Sequence, residues 1–133
     1  MEKTYIMLKP DALKRKLVGR ILSRIEDKGY NILRMETRML DEAILREHYA
    51  HIADKPFFPE MLEYMTSGPV IAMIVEGLDA IGGMRRLMGA TKTEDAQPGT
   101  IRGDFANNTT HNLIHGSDSA ENAAIEIKRF FGE

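Results

Sequence analysis

The sequence contains no cysteine among its 133 residues. Disulfide bonds, thiolate catalysis and cysteine-based zinc sites are therefore excluded, and a reducing compartment, the cytoplasm, is the expected location. Long apolar runs are also missing, because the longest uncharged apolar stretch, Val70–Val75, is far too short to span a membrane. The N-terminal segment has only residues 4–8 between the charged Lys3 and Lys9, too few for a signal peptide. We expect a soluble protein without a membrane partner.

The sequence has no excess of basic charge. Lys and Arg number 18 against 20 Asp and Glu, which gives a net charge of −2 and a pI near 6.1. A general nucleic-acid-binding protein normally shows a basic excess, so we predict no nucleic-acid partner. A local basic pocket for phosphates remains compatible with these numbers. Hydrophobic residues make up 43% of the chain, and its length fits one domain covering residues 1–133.

The best-known fingerprints of phosphate binding and of serine hydrolases are absent as well. The sequence has no G-x-x-x-x-G-K-[ST] loop, no G-x-G-x-x-G turn and no serine in a G-x-S-x-G elbow. Any nucleotide chemistry must therefore use another kind of site.

Apolar periodicity divides the chain into strands and helices. The predicted strands cover residues 4–8, 31–40, 70–75 and 112–115. The predicted helices cover residues 17–28, 41–52, 59–65, 80–88 and the stretch that follows Ser119. Residues 90–110 are predicted to form a long polar loop with only Ile101 and Phe105 as large apolar anchors. A loop of that length in a small domain is usually functional.

The ends of these elements carry further predictions. Residues 9–11, Lys-Pro-Asp, should stop the first strand. Asp41 should cap the second helix, and Asp79 should cap the fourth. Asp118 followed by Glu121 has the spacing of a capping box for the last helix.

The order of elements, β-α-β-(α-α)-β-α-(loop)-β-α, predicts an α+β class with a ferredoxin-like fold. This is a βαββαβ arrangement with a four-stranded antiparallel sheet, helices on one face, extra helices and a long loop. Many unrelated activities use this scaffold, so the fold alone does not give the function.

One histidine has a setting that suits chemistry. His115 ends the last strand, Gly116 gives the turn, and the following helix N-terminus favours anions. The alternative interpretation is a surface histidine in a capped turn. We expect His48 and His51 on an exposed helix face, and their spacing of three is too weak to indicate a metal site.

Two cationic residues also stand at suggestive positions. Arg102 lies between Gly99 and Gly103, so the backbone could approach a ligand closely while the guanidinium grips a phosphate. The alternative is a tight turn with a solvated arginine. Lys9 ends the first strand, where it either points into a cleft at the sheet edge or simply ends the strand in water.

Taken together, these segments closely resemble the nucleoside diphosphate kinase family, from Tyr5 to Phe131. The matching blocks occur in the family's order and are Lys9–Asp11, Lys55–Pro59, Ser67–Pro69, Pro98–Phe105 and Asn112–Ser119. The last block resembles the family's active-site signature N-x-x-H-G-S-D. The resemblance implies a phosphotransferase that moves the γ-phosphate of a nucleoside triphosphate to a nucleoside diphosphate. It implies a ping-pong mechanism through a phosphohistidine.

The resemblance also implies which residues do the chemistry. His115 matches the nucleophile, a role that suits a neutral imidazole near pH 7. Glu126 matches the carboxylate that holds the other ring nitrogen, with Ser117 beside it. Tyr49 matches the tyrosine near the histidine.

A second set of residues matches the family's nucleotide-binding groups. Those expected to contact the phosphates and sugar are Lys9, Arg85, Thr91, Arg102 and Asn112. Phe57 matches the aromatic that stacks on the base, and Met61 stands on the other side, where the family more often has leucine. A base held by stacking without edge hydrogen bonds implies broad base specificity.

The resemblance implies partners beyond the nucleotides. Mg²⁺ is expected, carried by the nucleotide phosphates and not by a dedicated protein cage. A homo-oligomer is expected, and a hexamer is favoured over a tetramer because residues 98–105 are close to those of hexameric members.

The sequence departs from the family at two positions. His111 stands where arginine is usual and could weaken a local salt bridge. Thr93 stands where proline is usual and could loosen the loop that joins subunits.

Two other classes of function remain to be weighed. A non-catalytic ferredoxin-like sensing module would have no need for His115, Lys9 and Arg102 together. A phosphocarrier that uses His115 would take its phosphate from a donor other than a nucleotide and would have no use for Phe57.

Overall fold

The apolar segment that begins at Val70 becomes the third strand of a sheet. The computed structural model describes residues 1–133, and its strands are β1 (Glu2–Leu8), β2 (Asn31–Arg38), β3 (Val70–Gly77) and β4 (Ile114–Gly116). The α-helices are α1 (Pro10–Lys14), α2 (Val18–Asp27), α3 (Glu42–His48), α4 (Phe58–Met65), α5 (Ala80–Met88), α6 (Ile101–Phe105) and α7 (Ala120–Phe131). Short 3₁₀ turns cover Ala50–Ile52 and Thr93–Asp95.

The strands pair antiparallel in the order β2-β3-β1-β4, so the predicted ferredoxin-like α+β fold is confirmed. The central strand β1 pairs with β3 from Glu2↔Gly77 to Leu8↔Ile71. The pairing of β1 with β4 is short and is centred on Met7↔His115. This register places His115 beside the C-terminal end of β1, next to Lys9.

Helices cover both faces of the sheet, not one face as predicted. Side chains alternate along β1, so Ile6 and Leu8 pack into a core with α1, α2, α5 and α6, whereas Tyr5 and Met7 face α3, α4 and α7. Burying a large aliphatic side chain in such a core contributes about 1.5–3 kcal/mol. The second layer is formed by the extra helices between β2 and β3 and by the C-terminal helix.

Two short helices were not predicted. Residues 9–11 do end β1, but Pro10 also starts α1, because its missing N–H and fixed φ suit the first helical position. Helix α6 lies inside the predicted loop. Thr100 caps it by accepting from the amide of Gly103, and a Cβ at position 103 would lie only 1.9 Å from the carbonyl oxygen of Gln97.

One predicted helix cap is confirmed, because the Asp41 carboxylate accepts from the amide of Ile44 at 3.0 Å at the start of α3. The caps predicted for α5 and α7 were wrong. Asp79 lies before α5 with a left-handed backbone (φ 49°), and its carboxylate binds Arg86 at 2.9 Å instead of capping. The carboxylate of Glu2 accepts from the amide of Ile81 instead, at 2.9 Å. At α7 the cap is Ser119, whose hydroxyl accepts from the amide of Asn122 at 3.0 Å. A tertiary neighbour thus replaced the predicted local partner at α5, whereas at α7 the next residue in the sequence replaced Asp118.

The outer edge of the sheet has solvent-exposed apolar side chains. Strand β2 is an edge strand, and Leu33, Met35 and Met39 are 45%, 52% and 64% exposed. The alternating pattern of residues 31–40 predicted a half-exposed strand; the strand is present over Asn31–Arg38, but none of its residues is buried. None of the helices combines the length and the apolar character needed to cross a bilayer.

Candidate active site

The end of β4 and one face of α7 bring the predicted catalytic groups together. His115 Nε2 lies 2.8 Å from Glu126 Oε1, and the Ser117 hydroxyl donates to the same oxygen at 2.7 Å. An ionised carboxylate only accepts hydrogen bonds, so His115 must donate through Nε2. In the neutral ring this leaves Nδ1 as the nitrogen with a free lone pair.

The environment of Glu126 keeps it ionised. Burial opposes its charge, but the hydrogen bond and the charge of His115, together with the hydrogen bond from Ser117, hold the pKa of the carboxyl below its usual value. A fixed negative charge therefore lies behind the ring at Nε2. The site can stabilise positive charge that develops on the imidazole.

His48 was predicted to be exposed, and that prediction was wrong. Its side chain is only 6% exposed, and its ring centroid lies 4.7 Å from that of His115. Burial, and then the charge of His115, lower the pKa of His48 to about 3, so it is neutral at physiological pH. A signal for its burial was available in the spacing of three from the buried Leu45, which places both on one helix face. His51 is exposed, as predicted.

The cationic side chains gather beside the histidine. Lys9 Nζ donates to Asn112 Oδ1 at 2.7 Å, so the interpretation of Lys9 as a solvated strand end is wrong. Burial, and then the charge of Arg102, lower the pKa of Lys9 to about 7, although Asp11 opposes the shift. The ammonium is thus held near its titration point until it gains an anionic partner. Arg85 is exposed at the same cavity.

Arg102 is buried, so the interpretation of a solvated arginine is also wrong. Only 5% exposed, it donates to the carbonyl oxygens of Gly89 at 2.8 Å, Ile114 at 2.6 Å and Asn112 at 3.4 Å. Burial, and then Arg85, lower its pKa to about 10, so it stays charged. A guanidinium has five N–H donors, so two remain for a ligand.

The segment before His115 has a strained backbone. Leu113 is fully buried at φ 76°, and the amide of Ile114 donates to the carbonyl of Asn112 at 2.9 Å across it. A non-glycine residue in this region costs about 1–3 kcal/mol. The turn explains why β4 begins at Ile114, later than predicted, and it directs the Asn112 side chain to Lys9.

A Cβ at Gly116 would lie 2.6 Å from the sulfur of Met88, which is near the end of a flexible side chain. A larger residue where β4 ends would therefore require the buried Met88 side chain to move.

All the predicted site residues except Ser117 line one cavity of about 740 Å³. They are Lys9, Tyr49, Phe57, Met61, Arg85, Thr91, Arg102, Asn112, His115 and Glu126. Ser117 is buried behind Glu126. The cavity volume suits a nucleotide-sized ligand. Phe57 is half exposed, and the Tyr49 ring contacts His48, not His115, with centroids 4.7 Å apart.

The two unusual positions each have a contact within the chain. His111 stacks on Tyr64 with ring centroids 4.1 Å apart, and Tyr64 donates its hydroxyl hydrogen to Asp11. The Thr93 amide donates to the Thr109 hydroxyl at 3.2 Å, which joins the two ends of the segment before β4. The prediction that these positions affect a salt bridge or subunit contacts stays a prediction.

Comparison with known proteins gives one consistent result. The sequence model of the family described as nucleoside diphosphate kinase matches residues 2–133. A nucleoside diphosphate kinase of Streptococcus thermophilus is 55% identical over 137 residues, covering 100% of both chains. One from Acetivibrio thermocellus is 51% identical over 133 residues, covering 100% of this chain and 98% of the relative.

Solved structures agree with the sequence comparison. The apo nucleoside diphosphate kinase of Encephalitozoon cuniculi superposes with a TM-score of 0.97 at 47% identity, covering 100% of this chain and 90% of the other. The enzyme of Halobacterium salinarum in complex with CDP has a TM-score of 0.95 at 48% identity, covering 99% and 88%. On the match of sequence and fold along its whole length, the chain belongs to the nucleoside diphosphate kinase family.

Proposed function

We propose that this nucleoside diphosphate kinase works through a phosphohistidine on Nδ1 of His115. The observation that carries the proposal is the 2.8 Å contact between His115 Nε2 and Glu126 Oε1 at the wall of the cavity. This contact uses Nε2 as a donor and leaves the lone pair of Nδ1 for attack. It also fixes the ring, which lowers the entropic cost of reaching the reactive geometry.

The reaction has two symmetrical halves. In the first, the Nδ1 lone pair of His115 attacks the γ-phosphorus, an N–P bond forms, and the bond to the β–γ bridging oxygen breaks so that a nucleoside diphosphate leaves. In the second, a terminal oxygen of another diphosphate attacks the phosphorus and the N–P bond breaks. Glu126 stabilises the positive charge on the phosphorylated ring, whose Nε2 keeps its proton, and Ser117 holds Glu126 in place.

Positive charge in the cavity supports the transfer of an anionic group. Lys9, Arg85 and Arg102 would contact the phosphates, with Thr91 as a hydroxyl donor and Asn112 contacting sugar and phosphate. An incoming phosphate would favour the charged form of Lys9, whose pKa burial lowers to about 7 in the empty cavity.

The base would be held by stacking. Phe57, half exposed at the cavity, would stack on one side of the base and Met61 would contact the other. The related enzyme of Halobacterium salinarum was solved in complex with CDP. Stacking contacts the face of the base and forms no hydrogen bonds with its edge, so we propose broad base specificity. Tyr49 would act through its ring contact with His48.

A divalent cation is expected for a kinase of this type, and we assign Mg²⁺. The only group of three or more potential ligands whose ligand atoms lie within 4.8 Å of one another is His48, His115 and Glu126. Two imidazoles and one carboxylate do not suit Mg²⁺, which prefers six oxygens. The ion would therefore be held by the nucleotide phosphates, where it neutralises their charge.

The exposed edge of the sheet supports a homo-oligomer. An unpaired edge strand with Leu33, Met35 and Met39 in the open suits pairing with a second copy. We favour a hexamer over a tetramer, as the resemblance of residues 98–105 to hexameric members implies. Residues 1–133 would act as one domain in the cytoplasm, with no nucleic-acid or membrane partner.

Labelling with a γ-³²P nucleoside triphosphate tests the mechanism. The wild-type protein should become labelled, the label should be labile to acid and stable to alkali, and unlabelled diphosphate should remove it. His115→Ala should take no label, whereas His51→Ala, which changes an exposed histidine, should still be labelled. An acid-stable label, or label on His115→Ala, would contradict the proposal. Labelling only by a donor other than a nucleotide would favour a phosphocarrier.

A further inference from the structure

Three potential metal ligands meet behind the nucleophile. The ligand atoms of His48, His115 and Glu126 all lie within 4.8 Å of one another. Two imidazoles and a carboxylate are a ligand set that Zn²⁺ and similar transition metals take. Ligands of one tetrahedral zinc ion lie about 3.3–3.6 Å apart, given bonds of about 2.0–2.2 Å. The longest separation in the cluster would therefore have to shorten by up to about 1 Å to make a metal site.

Arg129 determines which nitrogen of His48 carries the proton. Its Nη1 lies 2.9 Å from His48 Nδ1. Because a guanidinium is always charged and only donates, His48 Nδ1 must present its lone pair. The proton of the neutral ring is then on Nε2, an atom that is buried and has no hydrogen-bond partner.

We propose that this hydrogen bond keeps a latent transition-metal site closed. For Nε2 of His48 to bind a metal, its proton would have to move to Nδ1, where it would face the N–H of Arg129. For Nδ1 to bind the metal, Arg129 would have to be displaced. The positive charge of Arg129 also repels a cation, so both routes are opposed.

Closing the site protects the reaction. A metal ion bound to His115 Nε2 would release the proton that this nitrogen shares with Glu126. The ion would also withdraw electron density from Nδ1, the proposed nucleophile. Arg129 is thus a positioning residue, which acts through the tautomer of His48.

Replacing Arg129 by methionine tests the inference, because methionine keeps an unbranched stem and removes the donor. Zn²⁺ alone would be titrated against a chromophoric chelator without nucleotide, so the result does not depend on the phosphohistidine mechanism. We expect Arg129→Met to bind one zinc ion per chain more tightly than the wild type by about 10- to 100-fold, the size of the change in metal affinity that a hydrogen bond to a metal ligand typically makes. The gain should disappear when His48→Gln is added. Cobalt absorption should show the same pattern.

A matched variant separates the hydrogen bond from the nearby ion pair. Glu47 Oε1 lies 3.6 Å from Arg129 Nε, so Glu47→Gln removes that pair and keeps the donor to His48. It should bind zinc as weakly as the wild type. Equal zinc affinity in wild type and Arg129→Met, or a gain that survives His48→Gln, would overturn the inference.

A second measurement does not depend on how well Arg129→Met folds. Nitrogen-15 NMR of the wild-type imidazoles should show His48 with an unprotonated Nδ1 and a protonated Nε2. A proton on Nδ1 would overturn the inference directly.

Discussion

Replacing Arg102 by alanine should reduce both activity and stability, because its guanidinium has two tasks. It lines the cavity where we place the phosphates, and it also donates to the carbonyls of Gly89, Ile114 and Asn112. Two of these carbonyls flank the strained Leu113. The bonds therefore hold the turn that leads into β4.

The size of the stability loss follows from the bond lengths. The bonds of 2.8 Å to Gly89 and 2.6 Å to Ile114 are well formed, whereas the 3.4 Å bond to Asn112 is weak. A charged donor contributes about 1.5–3 kcal/mol per bond, and the low end applies because burial disfavours the charge. We expect a loss of about 3 kcal/mol in the free energy of unfolding. The kcat/KM should fall by on the order of 10²-fold or more.

Arg85 provides the matched control. It lies at the same cavity but is exposed, and it is not among the residues that hold the turn at Leu113. Arg85→Ala should lower kcat/KM but change the free energy of unfolding by no more than about 0.5 kcal/mol. Urea unfolding would be followed by circular dichroism at one protein concentration, because assembly makes apparent stability concentration-dependent. The reasoning is refuted if Arg102→Ala is as stable as the wild type, or if Arg85→Ala loses as much stability.

Four further predictions concern other parts of the site and the assembly. Lys9→Ala should lower kcat/KM by on the order of 10²-fold or more, about 2.7 kcal/mol. Because burial lowers the pKa of Lys9 to about 7, kcat/KM of the wild type should fall as the pH rises above that value. Lys9→Arg should remove this fall in kcat/KM at high pH. A wild-type kcat/KM that stays constant up to pH 9 would contradict the prediction. Phe57→Ala should raise KM for all bases similarly, and a loss confined to purines in assays with four diphosphates would show that stacking is the wrong account. Light scattering coupled to size exclusion, measured across a urea series, should show a hexamer that dissociates into dimers before the fold is lost. A stable monomer at micromolar concentration would refute the homo-oligomer. A mass of four subunits would refute the hexamer.

The sheet and the longer helices could be predicted because their apolar periods repeat several times. Strand β3 is continuously apolar from Val70 to Val75, and α2 shows its helical period over about three turns. Helices α1 and α6 have five residues each, too few for a period to be recognised. Their evidence is local instead: Pro10 at a helix start and Thr100 three residues before Gly103.

The cap predicted for α5 was wrong for a different reason. A cap predicted from sequence assumes that the nearest polar side chain satisfies the free amide. In α5 the partner of the Ile81 amide is Glu2, which β1 brings from the other end of the chain. Asp79 is then free to bind Arg86. Local rules cannot anticipate a partner that only the sheet register supplies.

The electrostatics of the site could not be predicted from the sequence. Resemblance to the family indicated that the polar residues belong to one site, but it did not indicate which side chains are buried or charged. His48 was predicted to be exposed, although its spacing of three from Leu45 places both residues on one face of α3. Its burial follows from α7, which brings Phe130 and Arg129 against the imidazole. The same packing fixes the tautomer of His48 and keeps it neutral beside His115. The state of the His48 ring thus depends on a contact between two helices that no single segment of the sequence records.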